Sequence, residues 1–122
     1  MNWDVVAPFI EDAIARSGGG HTLADVKRRV EDGSNTTHIW PGKKSAAVTE
    51  IAWEGTKPVL NCWLAGGDLE ELREMIQAAE VFAERIGCHS VQVSGRKGWV
   101  RALRDLGYKP VAYTVEKELR DG

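Results

Sequence analysis

Two places in this chain carry residue types that could hold an anion. The first is Ala65-Gly66-Gly67-Asp68, where an apolar run ends and a helical pattern begins. Amides at a helix N-terminus point outward, and the helix dipole favours negative charge there. Glycine lets such a backbone come close to a ligand. Yet Asp68, Glu70 and Glu71 follow at once. Those carboxylates suit the dipole themselves and repel a second anion, so the two glycines also read as a tight turn into a capped helix. The second place is Arg96, Lys97, Arg101 and Arg104, with Gly95 and Gly98 around the first pair. Lys97, Arg101 and Arg104 are spaced by four and three, which puts them on one face of a helix. That face suits an anion, nucleic acid or an acidic partner. It is also what a solvated face looks like, with Trp99, Ala102, Leu103 and Leu106 turned to the core.

Other chemistry is thinly supplied. His21, His38 and His89 are far apart, and no Cys/His spacing suits zinc, so no metal is expected. Cys88 and His89 are adjacent, and neighbours in a strand point to opposite faces. No serine sits in a nucleophile elbow and no P-loop is present. Glu50 and Glu54 lie on a candidate strand, where they read as solvated more readily than as a base. The catalytic residues, if any exist, are unknown at this level.

These residues must be positioned by a domain of 122 residues, most simply one unit spanning 1–122. Its hydrophobic fraction of 43% and charged fraction of 28% are those of an ordinary globule. Lys and Arg number 16 against 18 Asp and Glu, a net charge of −2, which argues against a general polyanion binder. No apolar stretch has the length of a membrane span. Met1-Asn2-Trp3-Asp4 lacks the basic and apolar regions of a signal peptide. Cys62, in an apolar strand, and Cys88, at a helix end, read as free thiols of a reducing compartment. Of the five tryptophans, most read as core anchors, with Trp40 beside Pro41 the candidate for exposure.

Periodicity predicts helices over 4–16 and 22–31, the second opened by Thr22 with Asp25 as a box-like partner. Strands are predicted over 36–40, 45–54 and 59–65. The last is apolar on both faces except at Asn61, as in a central strand covered by helices. Leu69, Leu72, Ile76, Ala79, Phe82, Ala83 and Ile86 mark a long helix. A short strand at 91–93, a helix over 99–106 ended by Gly107-Tyr108, and a closing strand over 113–119 complete the order. The class is mixed α/β, in the order α-α-β-β-β-α-β-α-β.

That order resembles the GNAT superfamily of N-acetyltransferases, less the family's first and last strands. The resemblance implies that 59–65 is the splayed central strand and that the helix from Asp68 faces the pyrophosphate of acetyl-CoA. Ala65, Gly66 and Gly67 would then contact that cofactor. It also implies two departures. The family usually supplies an arginine or glutamine and a longer glycine-rich loop at that junction. Its frequent general-acid tyrosine lies four residues before the glycine of a glycine-aromatic pair, and counting back from Gly107 gives Leu103, which cannot donate a proton.

Ala46–Ile51, Gly66-Gly67-Asp68-Leu69, Gly95-Arg96-Lys97-Gly98-Trp99 and Glu116-Lys117-Glu118-Leu119 look like short GNAT-like proteins of tailed bacteriophages. This implies an accessory or virion-associated protein in the bacterial cytoplasm or the virion, with phage structural proteins as partners and no membrane. Three readings follow. The first is a catalytically degenerate member acting by protein contact, with no cofactor. The second is an active acetyl-CoA-dependent acetyltransferase. The third is a nucleic-acid-contacting accessory protein using Arg96, Lys97, Arg101 and Arg104.

Overall fold

A computed structural model describes residues 2–17, 20–112 and 114–120. Helix α1 spans Trp3–Arg16 and α2 spans Leu23–Glu31. Asn2 caps α1, and Pro8 sits in its second turn. Thr22 and Asp25 close the predicted capping box, each side chain taking the other's backbone N–H at 3.1 Å. Ser17 caps the C-terminal end of α1, and Gly18 and Gly19 lie outside the described residues.

Strands β1 (Thr37–Pro41), β2 (Ser45–Glu54) and β3 (Lys57–Gly67) form an antiparallel meander. Helix α3 (Leu69–Arg85) then crosses to β4 (Ser90–Val93), which runs parallel to β3 at the sheet edge. Helix α4 covers only Gly98–Ala102, and a 3-10 turn follows at Arg104–Leu106. Among the described residues, no helix is long and apolar enough to cross a membrane.

The sheet carries helices on both faces. Val6, Ile10, Ala13 and Ile14 of α1 and Val26 of α2 pack on Ala46, Val48 and Leu64. On the other face Leu72 and Ile76 of α3, with Trp99 and Leu103, pack on Ala47, Cys62 and Ala65. Leu60 meets Ala79 and Ala83 further along α3. This explains why β3 is apolar on both sides.

One irregularity shapes β3. Val48 pairs with Leu64, but Thr49 pairs with Cys62, so Trp63 is an extra residue. Such a bulge bends its strand and increases the twist. Trp63 and Leu64 consequently pack toward the same face, against α1 and α2, while Cys62 and Ala65 pack toward the other. Pairing with β4 ends at Cys62↔Val93, at the residue before the bulge. The predicted strand over 59–65 therefore runs longer, through Gly66 and Gly67.

Both glycines are packing residues. A Cβ on Gly66 would lie 2.3 Å from the carbonyl oxygen of Phe9, so α1 rests directly on this backbone. Gly67 has φ +113, and a Cβ there would lie 2.3 Å from the Lys44 carbonyl oxygen. Glu71, in the first turn of α3, fixes the same corner. Its carboxylate accepts from the amides of Lys43 at 3.1 Å and Lys44 at 2.9 Å and from the Ser45 hydroxyl. These bonds, the Ser45 hydroxyl first, hold the Glu71 carboxyl below its ordinary value.

The structure corrects four expectations. Residues 114–119 form no strand, and Tyr113 lies outside the described residues; among the described residues β4 pairs with β3 alone, and Val115 and Leu119 are 97% and 85% exposed. The helix predicted over 99–106 breaks at Leu103, whose backbone leaves helical geometry at ψ 6°. Trp40 is half-buried: its ring meets Phe82 edge-on and its Nε1–H donates to Thr49 Oγ1 at 2.9 Å. The exposed tryptophan is Trp53, at the far end of β2. Leu69 and Ile86, at the ends of the α3 stripe, are also exposed.

Three outcomes are expected. Gly66→Ala forces α1 off β3, costs about 1–3 kcal/mol and lowers Tm by several degrees in a calorimetric melt. Leu72→Asp places an unpaired charge at a position 2% exposed and abolishes the cooperative melt. The Glu71 carboxyl has its value depressed on folding, so its stabilisation is present above the ordinary 4.5 and is lost as pH falls through the lower folded value. Glu71→Gln should therefore flatten the fall of Tm on acidification; an unchanged slope means the contact contributes nothing.

Candidate functional site

The residues singled out in the sequence meet around the place where β3 leaves β4. Ser94 N–H donates to the Cys62 carbonyl at 2.9 Å, closing the last rung. Beyond it the chain turns through Gly95, at φ +122, into α4. Trp63–Gly67 continue without a strand partner on that side among the described residues. The result is a wedge-shaped notch with β3 backbone on one wall and the start of α4 on the other.

Arg96 reaches into this notch. Its guanidinium lies 4.9 Å from the centre of the Trp99 ring, and its Nη2 is 3.4 Å from the Ala65 carbonyl oxygen. Trp99 is buried against the sheet, so it offers the cation a fixed aromatic face. Lys97, Arg101 and Arg104 are exposed. Arg104 lies beyond the break at Leu103, so the single helical face proposed for these cations ends at Ala102. Ala65 thus meets Arg96; Lys97 lines one cavity with Arg96, and Arg101 and Arg104 do not.

At the α3 terminus the strand passes into the helix with no intervening loop. Gly67 ends β3, Asp68 is the N-cap and Leu69 begins α3. Asp68 Oδ2 accepts from the Glu71 amide at 3.0 Å, and the Asp68 amide donates to the Lys44 carbonyl at 3.0 Å. The acidic first turn expected to compete with an anion does satisfy the helix end, and Glu71 extends that role to Lys43, Lys44 and Ser45.

The position expected for a general acid holds Leu103, 1% exposed within the core under Trp99. Tyr108 is nearby, but its hydroxyl donates to Glu80 Oε2 at 2.8 Å. Burial first, then that carboxylate, push the phenol well above its usual range. Glu50 faces α2, where Arg29 lies 3.7 Å away, and Glu54 accepts from Gln92 at 2.8 Å. Burial pushes the Cys62 thiol up to about 12, so it supplies no thiolate. Among the described residues no group of His, Cys, Asp and Glu is placed to hold a metal ion.

Sequence reasoning missed the pair that ties α4 to α3. Arg73 forms a two-pronged bond to Asp105, at 2.9 and 2.6 Å, and also donates to the Ala102 carbonyl. The pairing spans 32 residues, so no local spacing announces it. The bulge at Trp63 was equally hidden, because an apolar run with both faces covered carries no alternation to reveal a shift.

No protein-family model matches this chain, and no curated protein matches it. Solved structures do. An acetyltransferase from Trypanosoma brucei superimposes with a TM-score of 0.67 at 12% identity, covering 98% of this chain and 96% of that one. An aminoglycoside acetyltransferase from an uncultured soil metagenomic sample, in complex with sisomicin, gives 0.63 at 12% identity over 98% and 88%. A transcriptional regulator from Bacillus halodurans C-125 gives 0.61 at 13% identity over 80% and 77%. Such identities speak to architecture, which hosts more than one function. The element order, the mixed sheet and these matches together give the chain the fold of the GNAT-type acetyltransferases.

Proposed function

We propose that this GNAT-fold protein does not transfer acetyl groups and works through contacts with other proteins. One observation carries the reading: β3 runs straight into the N-cap of α3. An acetyl-CoA pyrophosphate needs amides at that helix end and room beside them. Here Asp68 holds the Glu71 amide, and Glu71 in turn holds Lys43, Lys44 and Ser45. Two carboxylates at the phosphate position oppose a polyanion at close range.

The glycines support the same reading. Gly66 lacks a Cβ because Phe9 rests on it, and Gly67 because Lys44 and Ser45 do. Neither vacancy needs a ligand to explain it. Ala65, Gly66 and Gly67 are thus a poor fit for acetyl-CoA, and Leu103 and the Glu80-bound Tyr108 supply no proton donor in the expected place. The short motifs that resemble those of tailed-phage proteins favour an accessory or virion-associated role, with phage structural proteins as partners and a site of action in the host cytoplasm or the virion.

The alternative is an active acetyl-CoA-dependent N-acetyltransferase. What favours it is the backbone of β3 beyond Cys62, which among the described residues has no strand partner on its β4 side, together with acetyltransferase neighbours of the same fold. Titration calorimetry with acetyl-CoA and with CoA separates the two. No binding at high ligand concentration is expected from folded protein. Micromolar binding would sink the degenerate reading and call for a screen of amine acceptors.

A further inference from the structure

Charge is unevenly placed along this chain. Residues 94–112 hold five cations, Arg96, Lys97, Arg101, Arg104 and Lys109, against one acid, Asp105. That stretch carries +4, and the rest of the chain, with eleven cations and seventeen acids, carries −6. The fold keeps these cations together. Lys97 precedes α4 and Arg101 stands one turn on, while Arg104 opens the 3-10 turn. Gly107, at φ 92, turns the chain back, and Lys109 then lines the same cavity as Arg96 and Lys97. Lys97, Arg101, Arg104 and Lys109 are exposed, and Arg96 is half-buried.

Among the described residues none of the five forms an ion pair, whereas Arg16, Arg28, Arg29 and Arg73 all do. Asp105 is taken by Arg73 of α3 through two bonds, so its charge is already matched from outside the patch. Like charges a helical turn apart, as at Lys97 and Arg101, oppose each other until an anion arrives. The end of the chain does not supply that anion. Glu116 and Glu118 are offset by Lys117 and Arg120, all four are exposed, and none is ion-paired to the patch among the described residues. The make-up of the patch also bears on its partner. The core of a protein–protein interface is depleted of charge and rich in aromatic side chains. In this stretch the exposed large apolar side chains are Val100 and Val111, and both aromatics, Trp99 and Tyr108, are buried or half-buried. A surface that meets nucleic acid is instead strongly positive, with its cations clustered on one face.

We propose that this patch binds the phosphate backbone of a nucleic acid, with Lys97, Arg101, Arg104 and Lys109 as the phosphate contacts. Arg96 stays between the Trp99 ring and the Ala65 carbonyl and adds its charge from there. Contacts of this kind position a protein on a strand without reading its sequence. The acidic remainder of the surface confines binding to this one face. The inference adds a partner beyond the protein contacts proposed above, and it is independent of whether acetyl-CoA binds.

Fluorescence anisotropy of the full chain with a labelled oligonucleotide of mixed sequence, as a single strand and as a duplex, tests it across a series of salt concentrations. Four phosphate contacts predict that log affinity falls against log salt with a slope of about −3 to −4. Arg101→Glu with Arg104→Glu should weaken binding at least tenfold and leave the thermal melt unchanged, whereas Arg101→Lys with Arg104→Lys keeps most of the affinity. Lys57→Glu with Arg85→Glu changes the net charge equally at exposed positions outside the patch, and should leave affinity within about threefold of wild type. Absence of binding to both forms at low salt overturns the proposal. Equal losses from the two charge-reversed pairs overturn it too, since attraction would then follow net charge and not this face. Polyglutamate that displaces the oligonucleotide at equal charge also overturns it, because the partner would then be an acidic protein.

Discussion

One inserted residue, Trp63, organises this molecule. Strands β2 and β3 are in register on either side of it and out of step across it. The extra residue turns Trp63 and Leu64 together toward α1 and α2, and leaves Cys62 and Ala65 facing α3 and α4. It also adds bend and twist where β3 parts from β4. The notch, the access of Arg96 to the Ala65 carbonyl and the seat of α4 all lie downstream of that bend. An unbulged β3 would reverse the facing of every residue beyond Trp63, because the side-chain period of a strand is two.

The second constraint is crowding at the far end of β3. Gly66 accepts α1 on its backbone, Gly67 accepts the Lys44 carbonyl, and Glu71 holds the turn that carries Lys44. Helix α1, the β1–β2 turn and the start of α3 are thereby fastened to one short stretch of chain. In this chain the corner where β3 meets α3 is filled by internal contacts.

Much of the fold was legible because local signals agreed with the final packing. The Thr22–Asp25 box, the Asp68 start of α3 and the stripe Leu72, Ile76, Ala79, Ala83 all read directly from spacing. The misreadings have tertiary causes. Gly66-Gly67 looked like a turn, since glycine usually punctuates; here it marks close approach of distant backbone. The basic face over Lys97, Arg101 and Arg104 presumed a helix that Leu103 interrupts in order to stay in the core. The closing strand was read from local alternation alone, and residues 114–119 form no strand. The candidate site was the least legible part. Arg96 was chosen for its charge, whereas what defines its position is Trp99 beneath it and a carbonyl across the notch.

The order of strands along the chain also bears on how the sheet is assembled and how it opens. Strands β1, β2 and β3 follow one another through short turns, so their pairing closes small loops. Strand β4 joins only after α3 has been built and laid across the sheet, which is the slower, non-local step. Its four residues hold one neighbour through a short parallel ladder. Protection against hydrogen exchange should therefore be graded across the sheet, greatest at β2 and β3 and least at β4. The notch is thus walled on one side by the most durable region of the sheet and on the other by α4, which hangs from the most labile strand, so fluctuations of β4 are passed on to its width.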